Sequence, residues 1–268
     1  MKAEKSPKSI LAYGHGPLPI GGAVTVEIIV PPCPLQPFID MQYIDSKTMS
    51  RRPGMYMKYL PYLYSPTNGK LLTGGSYAFD TFEKAKDYAR WVMEDFTTGE
   101  EGNKTKFWDQ PMFENCRSWV WQVLGAHAFT EVETHASMRL VQWKYTGHDA
   151  EQDLIQSFPT IKDEIEKLGG AAIWLLHNSE EHMIGLQVVF AKEAGKVDDS
   201  VAQNVLMLAG AQRPLEHLLP DGLSLECFYD RASLLLILWL PRSRMAGGTE
   251  LYIPLLPTVV PDITYEYD

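Results

Sequence analysis

The period of the hydrophobic positions changes repeatedly along this chain, and each change predicts an element. Met1 to Gly22 is irregular and reads as an entry arm. Val24 to Val30 predicts a strand, and the Pro-rich stretch Pro31 to Pro37 cannot be an ordinary strand interior. Phe38 to Ser50 predicts a short helix and Arg51 to Gly54 a turn. Met55 to Ser65 predicts a strand with Pro61 as a defect. Pro66-Thr67-Asn68-Gly69 is a turn, because Pro favours its first corner and Asn-Gly supplies positive φ. Leu71 to Phe79 is the antiparallel partner. A helix follows at once, capped by Asp80 or Thr81, with Phe82, Ala85, Ala89, Val92, Met93 and Phe96 at helical spacing. Thr97 to Asn115 reads as a loop and Arg117 to Phe129 as a further strand.

The second half follows the same order. Ser137 to Tyr145 is a strand. Asp149 to Leu168 predicts one or two helical turns, the better one starting at Pro159, with Gly169-Gly170 as its stop. Ala171 to His177 and Met183 to Ala191 predict a hairpin around Asn178 to Glu181. Asp198-Asp199-Ser200 caps a predicted helix from Val201 to Leu219. Leu223 to Asp230 and Ser233 to Leu240 predict two strands, and Glu250 to Leu255 one more in the tail. The order β-α-β-β-α-β is therefore read twice, at 23–132 and 135–241, between an arm at 1–22 and a tail at 242–268. This predicts the α+β class, with two ferredoxin-like modules in tandem. Two such antiparallel sheets packed face to face would leave a barrel-like cavity between them.

Composition narrows the function. The chain has 268 residues, 45% of them hydrophobic, enough for a sizeable core. A formal charge of −10 with no basic stripe argues against nucleic acid and anionic membrane surfaces as partners. No apolar run is long enough to span a bilayer, and Met1 to Ile20 lacks a signal-peptide core. Cys33, Cys116 and Cys227 are scattered and odd in number. They point to a reducing, cytoplasmic compartment without a disulfide framework or zinc ribbon. No G-x-G-x-x-G, G-x-x-x-x-G-K-[ST] or G-x-S-x-G is present, so nucleotide, flavin and hydrolase readings lack their signatures.

Candidate chemistry gathers at a few places. His127, Glu131, Glu133 and His135 share one parity, so an unbroken strand would aim them to one side as an acid–base or metal cluster. The plainer reading of Glu131 to Thr134 is a solvated turn between modules. His127 stands out, being mid-strand near Trp119 and Trp121. His177 and His182 flank a hairpin turn, so their spacing lacks the helical geometry of a zincin motif. Arg139, in a strand with Met138, Leu140, Val141 and Trp143, could hold a substrate carboxylate or enolate, or pair with a structural acid. Tyr56, Tyr59, Tyr62 and Tyr64 could donate to a developing oxyanion, or pack as ordinary cross-strand aromatics.

The run Arg52-Pro53-Gly54-Met55 through Gly74-Gly75-Ser76-Tyr77-Ala78-Phe79-Asp80 resembles the YdhR-type, monooxygenase-like branch of the dimeric α+β barrel superfamily. The motif match covers residues 52 to 96, and the topology match most of the chain. Members of that family are usually single-module dimers, so this chain looks like two modules fused. The resemblance implies cofactor-free oxygenation of electron-rich aromatics, polyketide cyclisation, lactone or muconolactone chemistry, or haem binding in distant branches. Fold alone does not choose among them. The expectation is a small-molecule enzyme, monooxygenase-, cyclase- or lyase-like, that abstracts a proton from an aromatic or polyketide-like substrate. His127 would be the base, Arg139 and Tyr62 the anion-stabilising groups, and Tyr56, Tyr64, Trp121 and Trp143 the substrate contacts. The alternatives are a haem enzyme using His177 or His217, or a small-molecule binding protein without catalysis. The expected partner is a small molecule, and a homodimer remains open.

Overall fold

The computed structural model describes residues 16–34, 45, 48–49, 52–65, 67–99, 103–129, 137–190, 215–240 and 253–255. In chain order the strands and helices are β1 Gly16–Pro17, β2 Gly22–Val30, β3 Met55–Tyr64, β4 Leu71–Phe79 and α1 Phe82–Glu94. There follow β5 Thr97–Thr98, β6 Thr105–Lys106, β7 Asn115–Ala128, β8 Ser137–Thr146 and α2 Glu151–Lys167. The last are β9 Gly170–Asn178, β10 Met183–Phe190, β11 Ser224–Leu240 and β12 Ile253–Leu255. The chain divides into two compact units. The first holds Gly21–Trp121 with Leu236–Asp268, and the second Met1–Ile20 with Gln122–Leu235. Both are antiparallel sheets with few helices. Among the described residues no helix is long and apolar enough to cross a membrane.

In the first unit β4 lies between β2 and β3, antiparallel to both. The β3–β4 turn is the one its sequence predicts: Gly69 has φ 65, and Asn68 Oδ1 accepts from the Lys70 N–H at 3.1 Å. Thr81 is the residue that caps α1, its hydroxyl accepting from the Lys84 N–H at 3.3 Å. Ala85, Tyr88, Ala89 and Val92 form the buried stripe. Tyr88 replaces Met93, which is 54% exposed, because the sheet presents Tyr77 and Phe79 to the helix at 4.9 and 5.0 Å from the Tyr88 ring. The predicted loop at 97–115 contains β5, β6 and the 3-10 turn Phe107–Asp109. At the chain's far end β12 pairs with β11, Leu238 opposite Leu255.

In the second unit the strand order is β11–β8–β10–β9–β7–β1. The β9–β10 hairpin forms as predicted. Three expectations change. α2 is one 17-residue helix with Pro159 inside it. Proline removes one backbone hydrogen bond there, but Leu154, Ile161 and Ile165 bury one continuous stripe that holds the helix together. Phe158 packs where Gly125 leaves room, since a Cβ on Gly125 would sit 2.5 Å from its ring. The two strands predicted at 223–240 are one strand, β11: pairing with β8 runs unbroken through Arg231 and Ala232, and the irregularity lies earlier, between Cys227 and Tyr229. Of the helix predicted at 201–219, residues 201–214 lie outside the described ones, and Glu216–Leu218 is a 3-10 turn. Most of the helix predicted at 38–50 also lies outside them.

Candidate functional site

β3 reads Met-Tyr-Met-Lys-Tyr-Leu-Pro-Tyr-Leu-Tyr, a single charge in an apolar and aromatic strand. Lys58 lies opposite Tyr77 of β4. Tyr77 packs on Tyr88 of α1, so this face of the sheet is the one the helix covers. Lys58 is 0% exposed. A buried ammonium is costly unless charge and polarisable groups surround it. Its Nζ donates to Met49 Sδ at 3.9 Å and lies 5.2 Å from the centroid of the Tyr77 ring. Burial pushes the Lys58 pKa down to about 7, and the nearby Asp45 charge restores only part of the loss.

Asp45 is buried as well. Burial raises its carboxyl, while a hydrogen bond donated by the Thr98 hydroxyl to Oδ1 and the charge of Lys58 pull it back. Its second oxygen, Oδ2, is buried with no hydrogen-bond partner among the described residues.

The Gly-Gly pair is closely packed, and Gly75 lies on the Lys58 face. Gly74 has φ 150, and a Cβ there would sit 1.8 Å from the Val26 carbonyl oxygen. A Cβ on Gly75 would sit 2.4 Å from the Tyr77 ring. The missing side chain at Gly75 is therefore what lets that ring lie where it meets Lys58. Burial raises the Tyr77 phenol, against a hydrogen bond from Tyr88 that lowers it, so Tyr77 stays neutral at ordinary pH. Near it, burial pushes the Cys116 thiol up to about 12.

Together these groups can do three things. Lys58 is poised to accept a proton near neutrality, Tyr77 to donate a hydrogen bond to an anion, and Asp45 Oδ2 to accept one. Met49 Sδ lies against the amine, and the Asp45 charge is close enough to act on it.

The predicted residues fall in several places. Tyr62 and Tyr64 share the Lys58 face by strand alternation. Tyr62 is buried opposite Thr73, about 13 Å along the strand from Lys58. Tyr64 donates to the Cys33 carbonyl oxygen at 2.9 Å. Tyr56 is buried beside the register irregularity at Met55/Met57. Trp121 is buried and donates to Thr25 Oγ1 at 2.8 Å. Thr25 lies opposite Ser76, so Trp121 is on the face away from α1.

In the second unit, His127 and Arg139 occupy one row across the sheet. The register runs His127–Ile173–Val188–Arg139, so three strand spacings, about 14 Å, separate them. They do not converge on one reacting atom. Arg139, 6% exposed, donates from Nε and Nη2 to the two carboxylate oxygens of Asp230 at 2.9 and 2.7 Å, and this pairing raises its pKa further. His127 packs 5.0 Å from Phe129. Trp143 is buried in the core under α2 and donates to Glu216 at 3.4 Å. His177 is buried with Nε2 on the Tyr145 hydroxyl at 3.0 Å, and burial lowers its pKa against the opposing pull of Asp149 and Glu151. His217 is exposed on the Glu216–Leu218 turn. Glu131, Glu133 and His135 lie outside the described residues.

Lys58 and Asp45 were not among the predicted residues. The available signal was the lone lysine in the centre of a strand otherwise fit for burial on both faces.

No protein-family model matches the chain, and no curated protein matches it. Among solved structures, a "putative monooxygenase" from Lactobacillus acidophilus NCFM aligns with TM-score 0.45 and 9% identity, over 81% of this chain and 93% of that one. A "putative monooxygenase" from Fusobacterium nucleatum subsp. nucleatum aligns with TM-score 0.43 and 8% identity, over 81% and 92%. An "anthrone oxidase-like protein" aligns with TM-score 0.45 and 9% identity, over 85% and 97%. At these TM-scores the likeness carries no argument about the activity of this chain.

Proposed function

We propose that this protein is a small-molecule enzyme that abstracts a proton from a hydrophobic, aromatic or polyketide-like substrate without a cofactor, using Lys58 as the base. The observation that carries this reading is a fully buried lysine set against an aromatic wall, its pKa brought down to about 7 by burial. A proton moves from the acidic C–H or O–H of the substrate to Nζ. The neutral Tyr77 phenol donates a hydrogen bond to the resulting enolate or phenolate, and Asp45 balances the ammonium. The anion then adds dioxygen, cyclises or eliminates. Tyr62 and Tyr64 line the same face and fit the apolar part of the substrate.

The two units are read as ferredoxin-like modules. The order β11–β8–β10–β9 supports this, because it places the fourth, first, third and second strands of the module side by side.

The test is hydrogen exchange at carbon. The protein is incubated in D2O with a panel of 1,3-dicarbonyl compounds and electron-rich phenols, and deuterium incorporation is followed by NMR. Wild-type protein is expected to accelerate exchange in at least one of them, and Lys58→Met to abolish the acceleration. No acceleration across the panel, or equal acceleration by the variant, would sink the proposal. Oxygen uptake in the same samples separates the oxygenase fate from cyclisation and elimination.

A further inference from the structure

We propose that Asp149, Glu151 and His177 form a binding site for a divalent transition-metal cation of the zinc type. It belongs to the second unit and stands without the reading given for Lys58. One carboxylate oxygen from each acid and one ring nitrogen of His177 all lie within 4.8 Å of one another. A tetrahedral ion with bonds of about 2.0–2.1 Å spaces its ligand atoms about 3.4 Å apart. Small side-chain rotations therefore close the cluster around one ion.

The local fold explains how these groups are held. Asp149 stands just before α2, and its Oδ1 accepts from the Glu151 N–H at 3.0 Å, leaving Oδ2 for a ligand role. Gln122 Nε2 donates to Glu151 Oε1 at 3.1 Å, which orients that carboxylate and leaves its second oxygen. Gln122 lies opposite His177 across the β7–β9 pair, so Glu151 is tied to the strand residue beside His177.

His177 supplies an observation independent of the acids. It is 0% exposed, its Nε2 is engaged by Tyr145 at 3.0 Å, and its buried Nδ1 has no hydrogen-bond partner among the described residues. A self-contained network at the start of a helix would leave no imidazole nitrogen bare in the interior. One ring nitrogen on a metal and the other on a hydrogen-bonding side chain is how metal-bound imidazoles are fixed.

The donor set decides the class of ion. One imidazole and two carboxylates suit zinc and its neighbours, while calcium needs six or more oxygens. The two negative charges neutralise a dication and outweigh the partial positive charge at the start of α2. Asp149 is exposed and Glu151 half-buried, which leaves a side open for entry and for a water ligand.

The experiment is titration of chelator-treated full-length protein with zinc chloride by calorimetry, and with cobalt(II) followed by visible absorption. A single equivalent is expected to bind, with a raised Tm and the cobalt bands of a four- or five-coordinate site. His177→Gln, Asp149→Asn and Glu151→Gln are each expected to weaken zinc by about tenfold or more. If His177→Gln does not fold, the two carboxylate variants decide, because those side chains reach the surface. Magnesium binding as tightly as zinc would overturn the assignment. So would zinc binding kept at full strength by the variants but lost in His148→Ala or His182→Ala. The deuterium exchange ascribed to Lys58 is expected to survive in Asp149→Asn, so the two proposals fail separately.

Discussion

The two units bury a titratable side chain under a helix in opposite ways. In the first, Lys58 lies within β3, inside a shell of Tyr77, Met49 and Asp45, with no solvent reaching it. In the second, His177 lies near the end of β9, beside the start of α2, with carboxylates leading outward to solvent. Both side chains are 0% exposed, so position along the sheet makes the difference. Inside the sheet, desolvation brings the amine to the pH of the cell, which suits proton transfer. At the sheet end, desolvation lowers the pKa of an imidazole whose carboxylate neighbours lead outward to solvent, which suits a cation.

The largest expected effect comes from removing the base. Lys58→Met is expected to lower exchange and turnover by about 10²–10⁴-fold, the range of a general base. A smaller change, measured on the substrate that exchanges fastest, would make Lys58 a structural lysine and erase the contrast between the units. Next is Gly75→Ala. Its Cβ would enter the Tyr77 ring, and a loss of about 1–3 kcal/mol is expected in urea unfolding. A neutral result would show that Tyr77 does not depend on that vacancy.

The third effect is a slope of stability with pH. Lys58 titrates at about 7 when folded and at its ordinary 10.5 when unfolded. Between these values the unfolded chain holds the extra proton, so stability rises with pH, by up to about 1.4 kcal/mol per unit. Below pH 7 both states are protonated and the penalty is at its full value. Cys33, Cys116 and Cys227 have thiols raised above 9.0, so they pull stability down as pH passes that value. The raised Asp45 pulls stability down as pH rises, against the Lys58 slope. The Lys58 contribution is therefore read as the difference between wild type and Lys58→Met from about pH 7 to 8.5, and the variant is expected to lose the rise. Equal slopes in the two proteins would place Lys58 outside the dry interior. The smallest effect is Thr81→Ala, which removes the cap of α1 at a cost of about 1 kcal/mol, read as a lower Tm. Because the cap lies away from the site, exchange at carbon should persist in it. Loss of exchange there would tie the site to the helix start.

Much of the fold was legible because it rests on local pattern. The Pro66 to Gly69 turn, the strand of Leu71 to Phe79, the capped helix after it and the β9–β10 hairpin each carry their own signal in adjacent residues. α2 was read too short because a proline inside a helix looks like a start, and only packing of Leu154, Ile161 and Ile165 overrides it. The single strand β11 was read as two parted at Arg231-Ala232, but its pairing with β8 runs straight through those residues.

The candidate residues were less legible. His127 and Arg139 were selected as conspicuous polar residues in strands, but the register puts Ile173 and Val188 between them. His177 was visible as a residue, but not as the partner of Tyr145, Asp149 and Glu151.

The sequence by itself determined the order of elements and the places where charge interrupts an apolar strand, because periodicity and turn chemistry act over a few residues. Only the tertiary structure decided which of those charges share a site. Register, helix coverage and the space left by Gly75 bring Lys58 to Tyr77 and Asp45, residues distant in the chain, and burial then sets the chemistry each can do.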